Sequence, residues 1–114
     1  MENKVKILIA ENNEFGQNCV REFSSYGYSA VLADKDGTQV LTKMKFEKPD
    51  VVIMDAFMLH IDAIGVIKQI RESKDGRKPI IIVLSSVDNM RFESEILNNG
   101  ADYYFLKPVE ANII

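Results

Sequence analysis

Apolar and polar positions along this chain alternate between two periods. Residues 5–10 (VKILIA) form a short run rich in branched side chains, stopped by the polar Glu11-Asn12-Asn13. A run of that length and composition predicts a strand. Asn13 can cap a following helix, because its short side chain can accept a hydrogen bond from a backbone N–H of the first turn. Phe15, Cys19, Val20 and Phe23 then recur near the helical period, and Gly27 is a natural terminator. Residues 28–33 read as a weaker strand. Asp36-Gly37 opens a second helix, with Val40, Leu41 and Met44 on one face and Pro49 beyond its end.

The second half repeats the pattern. Residues 51–54 are continuously apolar and end abruptly at Asp55. A third helix is expected from about Asp62, with Ile64, Ile67 and Ile70 on a common side, and Gly76 and Pro79 punctuate the loop after it. Residues 80–84 make the most apolar strand. Residues 89–97 predict a fourth helix closed by Asn99-Gly100, and Tyr103–Leu106 a fifth strand before Lys107-Pro108. Strands that are apolar on both faces, alternating with helices, imply a parallel sheet covered on both sides. The predicted fold is a doubly wound α/β domain.

The 114 residues suit one domain, 1–114, and the 46% hydrophobic fraction supports a folded core. A net charge of −3 with no Lys/Arg block argues against direct nucleic-acid binding. The lone cysteine, Cys19, cannot form an internal disulfide, which fits a reducing cytoplasm, and it reads as a small core residue. The longest apolar run, residues 79–84, is strand-sized, so no membrane span is expected. The N-terminal residues lack a secretory signal pattern.

Ligands of open parallel sheets bind beyond the carboxyl ends of the strands. Glu11-Asn12 follows the first strand, Asp55 the third, Ser85 the fourth and Lys107 the fifth. One end of the sheet therefore gathers two carboxylates, an amide, a hydroxyl and an ammonium. Carboxylate and carbonyl oxygens suit Mg²⁺, which commonly bridges to phosphate. Singly, each residue has an ordinary explanation as a turn former, loop hydroxyl or solvated charge. Their joint placement at four strand ends points to a site.

With Gly100-Ala101 leading to Lys107-Pro108, these residues resemble bacterial response regulator receiver domains over essentially the whole length. Residues 5–10, 58–62 and 100–104 are similar to the branch of that family that governs sporulation in endospore-forming bacteria. The resemblance implies a flavodoxin-like five-stranded sheet in order 2-1-3-4-5, with helices 1 and 5 on one face. It implies that Asp55 takes a phosphoryl group from a histidine kinase, a phosphotransfer protein or a small phosphodonor. Mg²⁺ would be held by Glu11, Asn12, Asp55 and the backbone carbonyl of Phe57. Lys107 would pair with the phosphoryl group, Ser85 would hydrogen-bond to it, and Tyr104 would be the aromatic switch. Such a domain is a phosphoacceptor that assists its own chemistry, not an enzyme acting on a separate substrate.

Several positions depart from the family pattern. Asn12 stands where a second carboxylate is usual, removing one negative charge and predicting weaker metal binding and slower phosphorylation. Leu59 replaces a usual proline, Ala63 a glycine and Ser86 a small residue, so Ser86 is expected to alter access to the pocket. After Lys107-Pro108 the chain runs to Ile114, where the family's fifth helix would begin. The chain is therefore expected to be the N-terminal part of a longer regulator with its effector domain downstream, and the uncovered face to favour dimerisation. His60 reads as an exposed partner-contact residue, the methionines as core filler, and Phe92 as either output surface or packing.

Three other functions compete. A pseudo-receiver would use the fold for phosphorylation-independent protein binding, favoured by Asn12 and Leu59. A Mg²⁺-dependent phosphatase is disfavoured, because Phe57 stands where a second catalytic aspartate would. A flavodoxin-like cofactor binder is disfavoured too, because the loop after the first strand lacks Ser, Thr and Gly to cradle a phosphate.

Overall fold

The computed structural model describes residues 4–11, 13–74 and 78–109. Five strands and four helices alternate along them: β1 (Lys6–Ala10), α1 (Glu14–Ser25), β2 (Ser29–Leu32), α2 (Gly37–Glu47), β3 (Val51–Asp55), α3 (Ala63–Glu72), β4 (Ile80–Ser85), α4 (Met90–Asn98) and β5 (Tyr103–Leu106). All four strand pairings are parallel, in the order β2-β1-β3-β4-β5. The predicted α/β architecture and strand order are therefore present.

Each helix starts where a short polar side chain meets the backbone. The Asn13 side chain accepts the Gly16 N–H, Asp36 that of Thr38, Asp62 that of Gly65 and Asn89 that of Phe92. Each bond satisfies a first-turn donor that has no intrahelical partner.

Alternation along the strands divides the core in two. Leu8, Ala10, Val52, Met54, Ile81 and Val83 point to one side, where they pack with Val40 of α2, Val66, Ile67 and Ile70 of α3, and Ile96 of α4. Ile7, Ile9, Ile53, Ile82 and Leu84 point to the other, against Cys19 and Phe23 of α1. This period of two explains why β1, β3 and β4 read as unbroken apolar runs: both faces are covered. On α3 the buried stripe is Ala63, Val66, Ile67 and Ile70, while Ile64 is only half-buried. The expected stripe of Ile64, Ile67 and Ile70 is thus turned by about one position.

Among the described residues, the α1 side of the sheet is covered unevenly. A groove lined by Phe23, Ile53, Ile82, Tyr103 and Phe105 lies open beside β4 and β5. Expectations about a fifth helix and about Gly76 fall outside the described residues. Met90 is exposed at the start of α4, so not every methionine fills the core. Among the described residues no helix is long and apolar enough to cross a membrane.

Candidate functional site

The carboxyl ends of the strands carry three charged side chains into one place. Glu11 follows β1 and is buried. The amino end of α1 presses against its backbone: a Cβ on Gly16 would sit 1.6 Å from the Glu11 carbonyl oxygen, so only glycine permits this approach. Asn13 donates from Nδ2 to Glu11 Oε2 at 3.0 Å. Asp55, the last residue of β3, is 4% exposed, and its Oδ1 accepts the Phe57 N–H at 2.8 Å. Lys107 follows β5, and its N–H donates to the Ser85 carbonyl at 2.8 Å, extending the β4–β5 ladder. From there its ammonium reaches across β4 to donate to Asp55 Oδ2 at the end of β3, and beyond it to Glu11 Oε1 after β1, at 2.9 Å.

Charge and burial oppose one another in this cluster. Burial pushes the Asp55 carboxyl up, but hydrogen bonds from Lys107 and the Phe57 N–H outweigh it and hold the group below the ordinary carboxylate value. Burial likewise pushes Lys107 down, and its bonds to Asp55 and Glu11 more than reverse that, keeping the ammonium charged. Asp55 is therefore an ionised, oriented carboxylate with its cation already in place. Cys19 has the opposite character. Burial, aided by the charge of Glu11, raises its thiol to about 11, which suits the inert core residue expected from the sequence.

A second cation reaches the same oxygen of Asp55. Lys35, in the loop after β2, places Nζ 3.7 Å from Asp55 Oδ2. Its loop is docked on the segment after β3. The Leu59 N–H donates to the Lys35 carbonyl at 3.0 Å, and the Gly37 N–H to the Leu59 carbonyl at 2.9 Å. His60 Nδ1 lies 3.0 Å from Asp36 Oδ2. Gly37 is required here, since a Cβ would come 2.1 Å from the Ile61 carbonyl oxygen. His60 keeps an exposed ring but is more than a surface residue, because it ties the two loops together.

Ser85 ends β4, one residue beyond Leu84, the register partner of Asp55. It is buried, and its Oγ accepts the Val87 N–H at 3.0 Å. Tyr104 on β5 donates its hydroxyl to the Val87 carbonyl at 2.6 Å. Its ring meets Phe92 of α4 edge-on at 6.3 Å, and Phe92 stacks on Phe57 at 5.6 Å. Phe92 therefore packs, within a chain of rings running from the Asp55 loop to β5. Ser86 is exposed.

Glu11, Asp55 and Lys107 thus converge, with Ser85 one strand away and Tyr104 behind it. Asn12 lies outside the described residues. Sequence reasoning restricted to the loops after β1, β3, β4 and β5 misses Lys35. The strand-end rule applied to β2 as well would have included it.

The response regulator receiver domain profile matches residues 7–114. The chain belongs to the response regulator receiver domain family. It is similar to the response regulator MprA of Mycolicibacterium vanbaalenii, 32% identical over 105 residues, covering 91% of this chain and 44% of that protein. The chain therefore spans less than half the length of the curated relatives it matches. Among solved structures, it resembles the receiver domain of a Francisella response regulator, with 27% identity and a TM-score of 0.83, covering 96% of this chain and 89% of that one. It also resembles the receiver domain of a Pseudomonas aeruginosa sensor histidine kinase with a magnesium ion coordinated in its active site cleft. That match has 25% identity and a TM-score of 0.77, covering 97% of this chain and 91% of that one.

The donor set of this receiver fits such an ion. Glu11 and Asp55 are buried carboxylates converging on a single ammonium. The described residues contain no group of three or more His, Cys, Asp or Glu side chains placed to hold a metal. Two carboxylates completed by carbonyl and water oxygens suit Mg²⁺, which dehydrates reluctantly and rarely takes an all-protein cage.

Proposed function

We propose that Asp55 accepts a phosphoryl group with the help of Mg²⁺, and that the resulting charge resets the surface formed by α4 and β5. The observation that carries this reading is the buried Asp55 held between Lys107 and a backbone N–H at the carboxyl edge of the sheet. A carboxylate oxygen of Asp55 attacks phosphorus, a P–O bond forms, and the donor's bond to phosphorus breaks. The donor departs with its bonding electrons, and a phosphohistidine donor leaves as imidazole. Lys107 neutralises charge on the phosphoryl oxygens. Glu11, Asn12, Asp55 and the Phe57 carbonyl are the residues that would hold Mg²⁺, which supplies further charge neutralisation when bound.

The route to the surface runs through Val87. Ser85 holds its N–H and Tyr104 holds its carbonyl. A Ser85 hydroxyl drawn to the phosphoryl group releases the Val87 N–H, disturbs the carbonyl that anchors Tyr104, and loosens the Phe57–Phe92–Tyr104 ring contacts. This is a local charge event acting on a two-state packing element.

In this reading the chain is the receiver part of a longer cytoplasmic regulator, phosphorylated by a histidine kinase or phosphotransfer protein. A downstream effector domain, a transcriptional one in the sporulation-like reading, carries the output. The relatives' greater length and the open groove beside β4 and β5 support an arrangement in which further chain covers that face, with dimerisation as the other way to cover it. A pseudo-receiver is the second reading, favoured by Asn12, which leaves the acidic site one charge short.

Intact mass separates the two. With Mg²⁺ and a small acyl-phosphate donor, the protein gains one phosphoryl group and Asp55→Asn gains none. A wild-type protein that stays unlabelled under conditions that label a fully acidic receiver supports the pseudo-receiver and contradicts the acceptor.

A further inference from the structure

We infer that Lys35 is a second phosphate-pairing cation of the acceptor site, adding positive charge where the Glu11-Asn12 pair attracts a metal ion less strongly. The inference rests on the acceptor reading of Asp55 and extends it to a residue outside the expected set.

Three observations place Lys35 in that role. Its ammonium lies 3.7 Å from Asp55 Oδ2, the same oxygen that accepts from Lys107, while Oδ1 is occupied by the Phe57 N–H. Both cations therefore address one side of the carboxylate. Next, the backbone that carries Lys35 is fixed. The Leu59 N–H holds its carbonyl, Leu59 and Asp36 form a parallel bridge, and His60 pairs with Asp36. A proline at position 59 would have no N–H to give, so the departure from the family pattern is also the contact that anchors this loop. Finally, the side chain is 47% exposed beyond that anchor, which leaves the ammonium free to follow a phosphoryl group as it forms.

Charge balance gives the physical reason. Glu11 and Asp55 carry two negative charges, and Lys107 and Lys35 two positive ones. A phosphoryl group adds between one and two negative charges near neutral pH. Lys107 is shared with Glu11 and cannot cover them alone. A site with Asn12 in place of a carboxylate attracts a divalent cation less strongly, and a protein ammonium at Asp55 offsets that loss. The same ammonium repels the ion, so Lys35 lowers Mg²⁺ affinity while it assists phosphoryl transfer.

Opposite signs make the test sharp. The 114-residue protein, Lys35→Gln, Lys35→Arg and the charge-matched control Lys68→Gln are labelled with an acyl-phosphate donor from limiting to saturating Mg²⁺. Mg²⁺ binding is measured separately, without donor, from the Phe57 amide shift. Lys35→Gln should label about tenfold more slowly at limiting Mg²⁺, with the gap closing at saturation, and should bind Mg²⁺ several-fold more tightly. Lys35→Arg and Lys68→Gln should follow wild type.

Labelling of Lys35→Gln at the wild-type rate throughout, or unchanged Mg²⁺ affinity, overturns the inference and leaves Asp55 as acceptor. No label on wild type overturns both. If Lys35→Gln also shifts the Leu59 and Gly37 amides, Lys35→Arg decides: recovery supports the charge role, and failure overturns it.

Discussion

Two ammonium groups meet at Asp55 by different routes. Lys107 arrives from β5 through a continuous ladder, is largely covered, and bonds two buried carboxylates at once. Lys35 arrives from a loop, is half exposed, and is held by backbone contacts that involve its carbonyl rather than its charge. The first is part of what keeps the fold intact. The second lies beside Asp55 on a loop whose docking does not use its charge. This pocket thus pairs a cation whose removal strands buried charge with a second, more exposed one.

Breaking the Lys107 side should cost most. Lys107→Ala leaves Glu11 and Asp55 buried without their cation, and urea unfolding should show a loss of about 3 kcal/mol. Gly37→Ala comes next. A Cβ forced against the Ile61 carbonyl should undock the Lys35 loop and cost about 2 kcal/mol, with the largest amide shifts at Leu59 and His60.

The pH dependence sharpens the same contrast. Asp55 sits below its ordinary value of 3.8, so its stabilising contribution is present above that pH and fades as pH falls through the folded-state value. Lys107 sits above its ordinary 10.5, so its contribution is complete below that pH and fades as pH rises through the folded-state value. Asp55→Asn should lower stability at neutral pH and flatten the acid limb of a stability-against-pH curve, with the two proteins converging at low pH. Lys35→Ala should have the smallest effect, within about 0.5 kcal/mol in urea, as for an exposed ion pair. A loss comparable to that of Lys107→Ala would erase the distinction between the two cations.

The legible parts of this protein are those where one physical rule acts locally. The strands show in the sequence because both faces are buried, and the helix starts because Asn13, Asp36, Asp62 and Asn89 cap them. Glu11, Asp55, Ser85 and Lys107 stand out because strand ends collect chemistry. What stayed hidden depends on two loops meeting. Nothing in the spacing of Lys35, Leu59 and His60 reveals that the loop after β2 docks on the segment after β3, since backbone bonds and the close approach at Gly37 create that contact. The Val87 link between Ser85 and Tyr104 was hidden for the same reason. Residue types predict neither which N–H a buried hydroxyl will accept nor where a tyrosine hydroxyl will point.

The central claim is that Asp55 itself becomes the acyl phosphate, and chemical mapping tests it most directly. Protein labelled with a small phosphodonor and Mg²⁺ is reduced with borohydride, which converts a phosphorylated aspartate to homoserine, and its peptides are sequenced. Homoserine at position 55, absent without donor, is the expected result. Label recovered at another residue, or no homoserine at all, would contradict the account.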